Sequence, residues 1–203
     1  MTNTDTFDTT VRRLDVEARS RAAADALADA AREAGLLDVA YAMVDSPFGP
    51  LLVATTRRGL VRLAYPNEPV DDALDELAGR VSARVLEAPS SVDAVRRQLD
   101  EYFVGDRQRF ETPIDWSLTR GFTTKVLQAT ARVPFGSVTT YREVAGRAGN
   151  DRAYRAAGNA LGSNPIPIVV PCHRVLHSGG GLGGYTGGLE RKEFLLRLEG
   201  VLA

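Results

Sequence analysis

Three short apolar segments follow one another closely between residues 39 and 65, joined only by the turn sequences DSPFGP and RRG. They read VAYAMV, LLVATT and LVRLAY. Because tight turns join strands that run in opposite directions, this spacing predicts an antiparallel meander. No other feature constrains the fold of the first part of the chain so strongly.

Helical patterns flank the meander on both sides. The stretch from Val11 to Ala34 is rich in Ala, Arg and Asp and closes at Gly35, which predicts a helix with a weak apolar face. Two further helices are predicted from apolar spacing, one by Leu74, Leu77, Val81 and Val85, the other by Val92, Val95, Leu99 and Phe103. The latter follows a capping pattern, Ser90-x-x-Asp93. Strands followed by helices predict an α+β domain.

After Trp116 the sequence predicts a series of short helices. The first contains Phe122, Val126 and Leu127, the second spans 141–148, and the third spans about 151–161 after a turn at Gly149-Asn150. Two short helices around a Gly-containing turn are typical of a helix-turn-helix, although such pairs also occur elsewhere. The small residues of the third helix fit equally well against a protein core or a groove of DNA.

Charge is distributed unevenly along the chain. The net charge is −1, but residues 1–116 hold 14 Lys and Arg against 21 Asp and Glu, whereas residues 117–203 hold 11 against 5. A basic segment joined to an acidic one indicates that the second part faces a polyanion. There is no apolar run of about 20 residues and no signal-like start, so we expect a cytoplasmic protein.

The chain has one cysteine, Cys172, in the segment IPIVVPCHRVLH. The apolar run with its prolines predicts a buried, extended strand that ends at this thiol. A thiol becomes a nucleophile beside a base or a cation, and His173 follows directly, but neighbouring side chains point apart, so a turn or a bridging water is required. A lone buried cysteine is more often an inert core residue. One cysteine and two histidines are too few for a zinc site of soft ligands, so no metal is expected.

The last predicted helix runs from Leu189 to Glu199 and buries Phe194, Leu195 and Leu198. A carboxylate near its C-terminus opposes the helix dipole, which suggests a partner such as a histidine, with a solvated glutamate as the alternative. The preceding loop, GGGLGGYTGG, can wrap a planar ligand but lacks the lysine and spacing of a phosphate loop.

Several of these segments together resemble a known family. PCHRV is preceded by Asn164 in SNPIPIVV and followed by GGYTGGLERKEFLLRLEG, and this combination resembles the O6-alkylguanine-DNA alkyltransferases, which are suicidal DNA repair proteins. The resemblance extends back through RAYRAAGNALG and VPFGSVTTYREVA to about Phe122. SPFGPLLVATTRRGLVRL resembles the family's N-terminal domain less specifically, and the helix before Gly35 has no counterpart.

The resemblance implies a fold and an activity. It implies an α+β protein with a helical extension at 1–37, a ribonuclease H-like sheet domain at 38–116 and a winged helix-turn-helix-like domain at 117–203. The activity would be irreversible transfer of the alkyl group of O6-alkylguanine, and of O4-alkylthymine, to Cys172 after the base is flipped out of DNA. The protein would bind double-stranded DNA through the minor groove as a monomer, without a cofactor.

The resemblance also implies roles for individual residues. Cys172 would attack as a thiolate, activated by His173 and Glu199 through a bridging water. Tyr141 would hydrogen-bond the guanine and donate a proton, and Asn164 would tie the recognition helix to the active-site strand. The base pocket would include Tyr185, Thr186 and the carbonyl of Val175.

The DNA contacts implied by the resemblance centre on the third helix. Arg155 would fill the space of the extruded base, with the small residues Ala156, Ala157 and Gly158 allowing close approach to the groove. Backbone contacts would come from Thr123, Arg142, Asn150 and Ser178. Two features depart from relatives: the zinc ligands that some have are missing, and Gly162-Ser163 stand where some have a basic residue.

Two other functions fit parts of the sequence. A cysteine hydrolase could use Cys172 and His173 as a dyad, which predicts repeated turnover but leaves the helix-turn-helix spacing unexplained. A non-catalytic sensor of damaged DNA would need the pocket but not the thiol.

Overall fold

The computed structural model describes residues 4–202, with side chains at Val16 and from residue 18 onward. The elements, in chain order, are α1 (Thr4–Glu33), β1 (Val39–Val44), β2 (Leu51–Thr56), β3 (Gly59–Ala64), α2 (Val70–Arg80), β4 (Val85–Glu87), α3 (Asp93–Phe103), α4 (Gly121–Thr130), β5 (Thr139–Thr140), α5 (Tyr141–Arg147), α6 (Tyr154–Gly162), β6 (Val175–Leu176) and α7 (Leu189–Leu198). This combination of sheet and helices confirms the α+β class.

Helix α1 confirms the helix predicted at the start of the chain. It packs through small residues, with Ala28 and Ala31 buried beside Leu37. Polar contacts hold it as well, because Arg21 forms an exposed ion pair with Asp93 of α3 at 3.0 Å. The weak apolar face that the sequence predicts therefore suffices for only limited packing.

The first sheet has the strand order β3-β2-β1-β4. Strands β1, β2 and β3 pair antiparallel, which confirms the predicted meander, and β4 pairs parallel with β1. The helical prediction at Val85 was wrong, because α2 ends at Arg80 and Val85 begins β4. The crossover through α2 returns the chain to the open edge of β1, which is how a parallel neighbour is reached.

The start of α3 also differs from the prediction. Pro89–Val92 form a short 3-10 turn, and Val92 precedes the helix without a side-chain cap. The backbone N–H of Ser90 donates instead to Asp25 of α1 at 2.9 Å. The capping pattern was therefore wrong, although α3 buries Val95 and Leu99 as its periodicity predicts.

The second part of the molecule contains the predicted short helices. Helices α5 and α6 are joined by a turn in which Gly149 has φ +102, followed by a 3-10 turn at Asp151–Ala153. A capping box between Thr140 and Glu143 fixes the start of α5. Strands β5 and β6 form a small parallel pair beside these helices.

The apolar run before Cys172 is buried but does not form a strand. Ile168 has φ 72, and the segment folds back through a bond from the N–H of Val170 to the carbonyl of Ile166 at 2.9 Å. Pro165 and Pro167 have no N–H to donate to a neighbouring strand, so a compact turn replaces the predicted extended segment.

Helix α7 buries a different stripe from the one predicted. Its buried side chains are Lys192, Leu195 and Leu196, and Leu198 is partly buried. Phe194 is 39% exposed, so its predicted burial was wrong. Lys192, Leu195, Leu196 and Glu199 are spaced i, i+3, i+4 and i+7, so they lie on one face of the helix. Phe194 lies outside this face.

One core crosses the boundary near residue 116. Its members include Leu63 and Tyr102 from the first part and Val126 and Leu127 from the second. The N–H of Leu63 donates to Pro165 across the boundary at 2.9 Å. The division into 1–37, 38–116 and 117–203 remains a prediction.

Within residues 4–202, no helix is both long and apolar enough to cross a membrane. The same residues contain no group of three or more His, Cys, Asp or Glu side chains placed to hold a metal ion.

Candidate active site

Cys172 opens a 3-10 turn and lies beneath an open cavity of about 790 Å³. The side chain is 5% exposed, so the thiol is reached only from the cavity. The cavity wall includes Tyr141, Gly158, Tyr185 and Thr186. The turn thus places a single nucleophile against a space large enough for a flat ligand.

Asn164 fixes the thiol from behind. Its amide donates to the carbonyl of Val170 at 2.8 Å and to the Cys172 Sγ at 3.1 Å, and its Oδ1 accepts from the N–H of Ile166 at 3.0 Å. Asn164 therefore connects the end of α6 to the loop that carries Cys172, a loop where the sequence predicted a strand.

The environment of Cys172 favours the neutral thiol at rest. Burial raises the pKa of the Cys172 thiol to about 11, although the Asn164 hydrogen bond and the positive charge of Lys192 oppose the shift. A thiol with this pKa carries almost no thiolate near pH 7. The site therefore needs a base close to the sulfur.

His173 is completely buried, and its Nε2 lies 2.8 Å from Oε1 of Glu199. Burial raises the pKa of Glu199, but hydrogen bonds from His173 and Arg174 outweigh it and hold the pKa at about 2. The carboxylate is therefore ionised and must accept, so Nε2 carries the proton and Nδ1 keeps its lone pair. Burial also lowers the pKa of His173, which keeps the ring neutral.

The Nδ1 atom of His173 is buried and has no hydrogen-bond partner among the described residues. Buried polar atoms are nearly always satisfied, by protein or by water. A free lone pair on the residue next to Cys172 is the acceptor that a proton from the thiol requires.

Glu199 has further partners that the sequence did not indicate. Arg174 donates to it twice, from Nε to Oε2 and from Nη2 to Oε1, both at 2.8 Å, and the Tyr102 hydroxyl donates to Oε1 at 2.6 Å. The expectation of a histidine partner was right, and the solvated alternative was wrong. Arg174 could have been suspected from its place in PCHRV, whereas Tyr102 comes from distant α3.

Lys192 is a second buried cation that sequence reasoning missed. Its Nζ donates to the carbonyl of Val175 at 2.7 Å and to that of Leu182. Burial lowers its pKa to about 8, with the nearby Cys172 opposing the shift. The sequence did contain a signal for this burial, because Lys192 lies at helical spacing from the apolar residues Leu195 and Leu196. Val175 itself is fully buried, and this bond occupies one of the two lone pairs on its carbonyl.

Three tyrosines and a second histidine form part of the cavity wall. The ring of Tyr141 lies 5.1 Å from that of His177, and burial raises the pKa of Tyr141, which keeps its hydroxyl protonated. The Tyr185 hydroxyl is 2.8 Å from that of Tyr65 in the first part of the chain. Thr186 donates to the carbonyl of Gly162 at 2.8 Å. Neither His177 nor Tyr65 was predicted.

The predicted DNA contacts are divided between several places. Arg142, Arg155 and Ser178 lie at the rim of the same cavity. Thr123 lines a separate cavity of about 460 Å³. Asn150 accepts from the N–H of Arg152 at 3.1 Å, at the turn between α5 and α6.

The small residues that follow Arg155 point in different directions. Ala156 is exposed, and Gly158 lies beneath the Tyr141 ring. Ala157 is fully buried, so it packs in the protein core, and the expectation that it allows approach to a groove was wrong. Helical periodicity turns it away from the surface that carries Arg155.

Two protein-family models match the chain. Residues 39–116 match the model described as 6-O-methylguanine DNA methyltransferase, ribonuclease-like domain, and residues 121–201 match the DNA binding domain of the same description. The two matches cover both parts of the molecule.

Individual proteins give the same result. The chain is 39% identical over 163 residues to the methylated-DNA--protein-cysteine methyltransferase of Methanosarcina barkeri, covering 78% of this chain and 96% of that relative. Its fold is similar to a crystal structure of Mycobacterium tuberculosis O6-methylguanine methyltransferase, with TM-score 0.68 and 35% identity over 81% of this chain and 94% of the other. A structure of Mycobacterium tuberculosis OGT in complex with DNA has TM-score 0.67 and 36% identity, covering 79% and 92%.

Proposed function

This chain belongs to the 6-O-methylguanine DNA methyltransferase family, and on that premise we propose that Cys172 is the residue that takes the alkyl group. The protein repairs DNA by transferring an alkyl group from the damaged base to its own cysteine. The observation that supports Cys172 is its position beneath the cavity, next to a histidine whose Nδ1 is free to accept a proton.

The first step of the proposed reaction is removal of the thiol proton. A water molecule between the Cys172 thiol and His173 Nδ1 would carry the proton to the imidazole. The resulting imidazolium would be stabilised by the ionised Glu199, which already accepts from Nε2 at 2.8 Å. Positive charge on Lys192 and the Asn164 hydrogen bond both favour the thiolate.

The second step is displacement at the alkyl carbon. A sulfur–carbon bond forms, the bond from that carbon to guanine O6 breaks, and the electron pair remains on the purine. The Tyr141 hydroxyl would donate a proton to the leaving guanine, and the proton held on His173 would return through water to the tyrosinate. The net result moves the thiol proton to the guanine and leaves both side chains neutral. The thioether product has no good leaving group, so each molecule reacts once.

The substrate is proposed to be O6-alkylguanine, or O4-alkylthymine, in double-stranded DNA entered from the minor groove. An enzyme that reacts with a base must take it out of the stack. Arg155, which lies at the cavity rim, would fill the vacated space. Tyr185 and Thr186 would contact the flipped base. Action as a monomer and a cytoplasmic location remain predictions.

Intact-mass spectrometry tests the proposal. After incubation with a duplex containing one O6-methylguanine, we expect the protein to gain one methyl group, on the peptide that contains Cys172. With excess duplex, the amount of repaired guanine should equal the amount of protein. An unmodified protein would refute the transfer to Cys172, and repeated turnover would support the hydrolase instead.

A further inference from the structure

Tyr154, the first residue of α6, is an exposed aromatic residue at the rim of the cavity. The residue is 38% exposed, and its ring contacts two arginines. The guanidinium carbon of Arg142 lies 5.4 Å from the ring centroid, and that of Arg155 lies 5.8 Å away. Both distances are within the range of a cation–π interaction, which is about 6 Å.

Neither arginine has another polar partner in the part of the chain that the structure describes. Within that part, the contacts of both guanidinium groups are those to the Tyr154 ring. The closest acidic residue in sequence to Arg142 is Glu143, whose carboxylate accepts from Thr139 at 2.7 Å and from the N–H of Thr140 at 2.9 Å. Two like charges thus share one ring, and among the described residues neither guanidinium forms an ion pair with Glu143 or with Asp151, which lies four residues before Arg155.

This arrangement joins two helices at the surface expected to face DNA. Arg142 belongs to α5 and Arg155 to α6, and the ring of Tyr154 contacts both guanidinium groups. A long arginine side chain loses much rotamer freedom when it is fixed by a ligand. An aromatic ring that restrains it beforehand reduces that loss at the moment of binding.

We propose that Tyr154 is a positioning residue for DNA, which acts by holding Arg142 and Arg155 side by side at the rim before the duplex arrives. Arg142 is then ready for the phosphate backbone, and Arg155 for the space left by the extruded base. The proposal rests on the DNA reaction proposed above, and it adds a residue that acts through the two arginines without requiring its own contact to a base.

The test compares Tyr154→Ala and Tyr154→Phe in two backgrounds, the unchanged chain and Arg142→Ala/Arg155→Ala. The measured quantity is the duplex concentration that gives half the maximal rate of Cys172 alkylation. Because fixing a long side chain on binding has a modest entropic cost and two arginines are pre-ordered here, we expect Tyr154→Ala to raise this concentration roughly five- to thirty-fold in the unchanged chain. Tyr154→Phe retains the ring and should stay within about twofold.

The arginine-deficient background distinguishes positioning from direct contact. If Tyr154 acts through the arginines, Tyr154→Ala should change the half-maximal concentration less than about twofold there, since the two effects are then not additive. The same fold-change in both backgrounds would overturn the proposal, because the ring would then contact DNA itself or support α6. An unchanged value in the original background, or an equal loss for Tyr154→Phe, would overturn it as well.

The reaction with free O6-benzylguanine separates this proposal from the rest of the account. Tyr154→Ala should react with this small substrate at close to the original rate, which also shows that the variant is folded. An equal loss on duplex and free base would mean that the ring supports the cavity and would overturn the proposal. If the original chain forms no adduct with alkylated duplex, the proposed function itself fails, whatever the variants do.

Discussion

The buried cluster around Glu199 and the exposed rim around Tyr154 both contain arginine, but they hold it in opposite ways. Arg174 is 6% exposed and donates two hydrogen bonds to one carboxylate. Arg142 and Arg155 are exposed, and their contacts within the described chain are to an aromatic ring. A charge removed from water needs a partner, whereas a charge at the surface can stay available for a polyanion.

The comparison indicates that the buried cluster serves the chemical step and that the rim serves duplex binding; we call this the division of work between the two regions. The buried cluster has its charges fixed in the folded chain, so it can prepare the thiolate for any substrate that reaches Cys172. The rim has unneutralised cations, so its contribution depends on an anionic duplex. Variants in the two regions should therefore differ in which substrates they affect.

The largest effect is expected from Cys172→Ser. The serine hydroxyl is a far weaker nucleophile but nearly isosteric, so alkyl transfer should fall below detection while duplex affinity stays unchanged. Adduct formation by mass spectrometry and duplex binding by fluorescence anisotropy measure the two properties. Loss of both together would show that the cysteine supports the fold and would remove the distinction between the regions.

His173→Ala should slow alkylation of a free base by a factor of about 10² to 10⁴ at pH 7, the usual contribution of a general base. Without the imidazole, thiolate forms only by direct ionisation of a thiol whose pKa is about 11. The thiolate fraction then rises about tenfold per pH unit below that value, so the deficit should shrink between pH 7 and pH 9. A constant deficit would mean that His173 is structural.

Glu199→Gln should reduce the free energy of unfolding at pH 7 by about 3–5 kcal/mol, because breaking a buried ion pair leaves the charge of Arg174 uncompensated. The pKa of Glu199 is lowered from 4.5 to about 2 on folding. The ionised carboxylate therefore stabilises the folded chain above pH 4.5, and this stabilisation is lost as the pH falls from 4.5 to 2. The gap between variant and original chain should therefore narrow over that range.

Urea unfolding at pH 7 and pH 3 measures the Glu199 effect, with Glu190→Gln as the matched control. Glu190 is exposed in the first turn of the same helix, so its substitution should change the stability little. Equal stabilities for the two variants at pH 7 would contradict the paired burial of Glu199 with His173 and Arg174.

The smallest effect is expected from Tyr65→Phe, which leaves the half-buried Tyr185 hydroxyl without its partner at 2.8 Å. Losing a hydrogen bond of this kind costs about 0.5–1.5 kcal/mol of stability. Tyr185→Phe removes the same bond, so the double variant should lose less than the sum of the two single losses. Additive losses in urea unfolding would show that this bond does not couple the first part of the chain to the cavity.

Local patterns predicted much of the fold. The meander followed from three apolar segments with tight turns, and the helix pair around Gly149 followed from two short helical stretches separated by a Gly-containing turn. Strand β4 was missed because Val85 continues the helical spacing of the apolar residues in α2, and only Val85 and Leu86 of this short strand are half-buried. The turn before Cys172 was missed because an apolar run with prolines gives no indication of where it folds back.

The candidate site could be predicted only in part. Cys172, His173 and Asn164 lie within one short segment, and the unfavourable dipole at Glu199 indicated a partner. Three of the polar groups that complete the site, Tyr65, Tyr102 and Lys192, come from β3–α2, α3 and α7. Contacts between segments so far apart depend on tertiary packing, which leaves little local signal.

The most direct test of the division of work is the ratio of duplex rate to free-base rate in three proteins: the original chain, His173→Ala and Arg155→Ala. His173→Ala should lower both rates and leave the ratio unchanged. Arg155→Ala should lower the ratio by up to about a hundredfold, since base flipping costs a few kcal/mol and free O6-benzylguanine needs none. A ratio that falls in His173→Ala, or that stays unchanged in Arg155→Ala, would contradict the account.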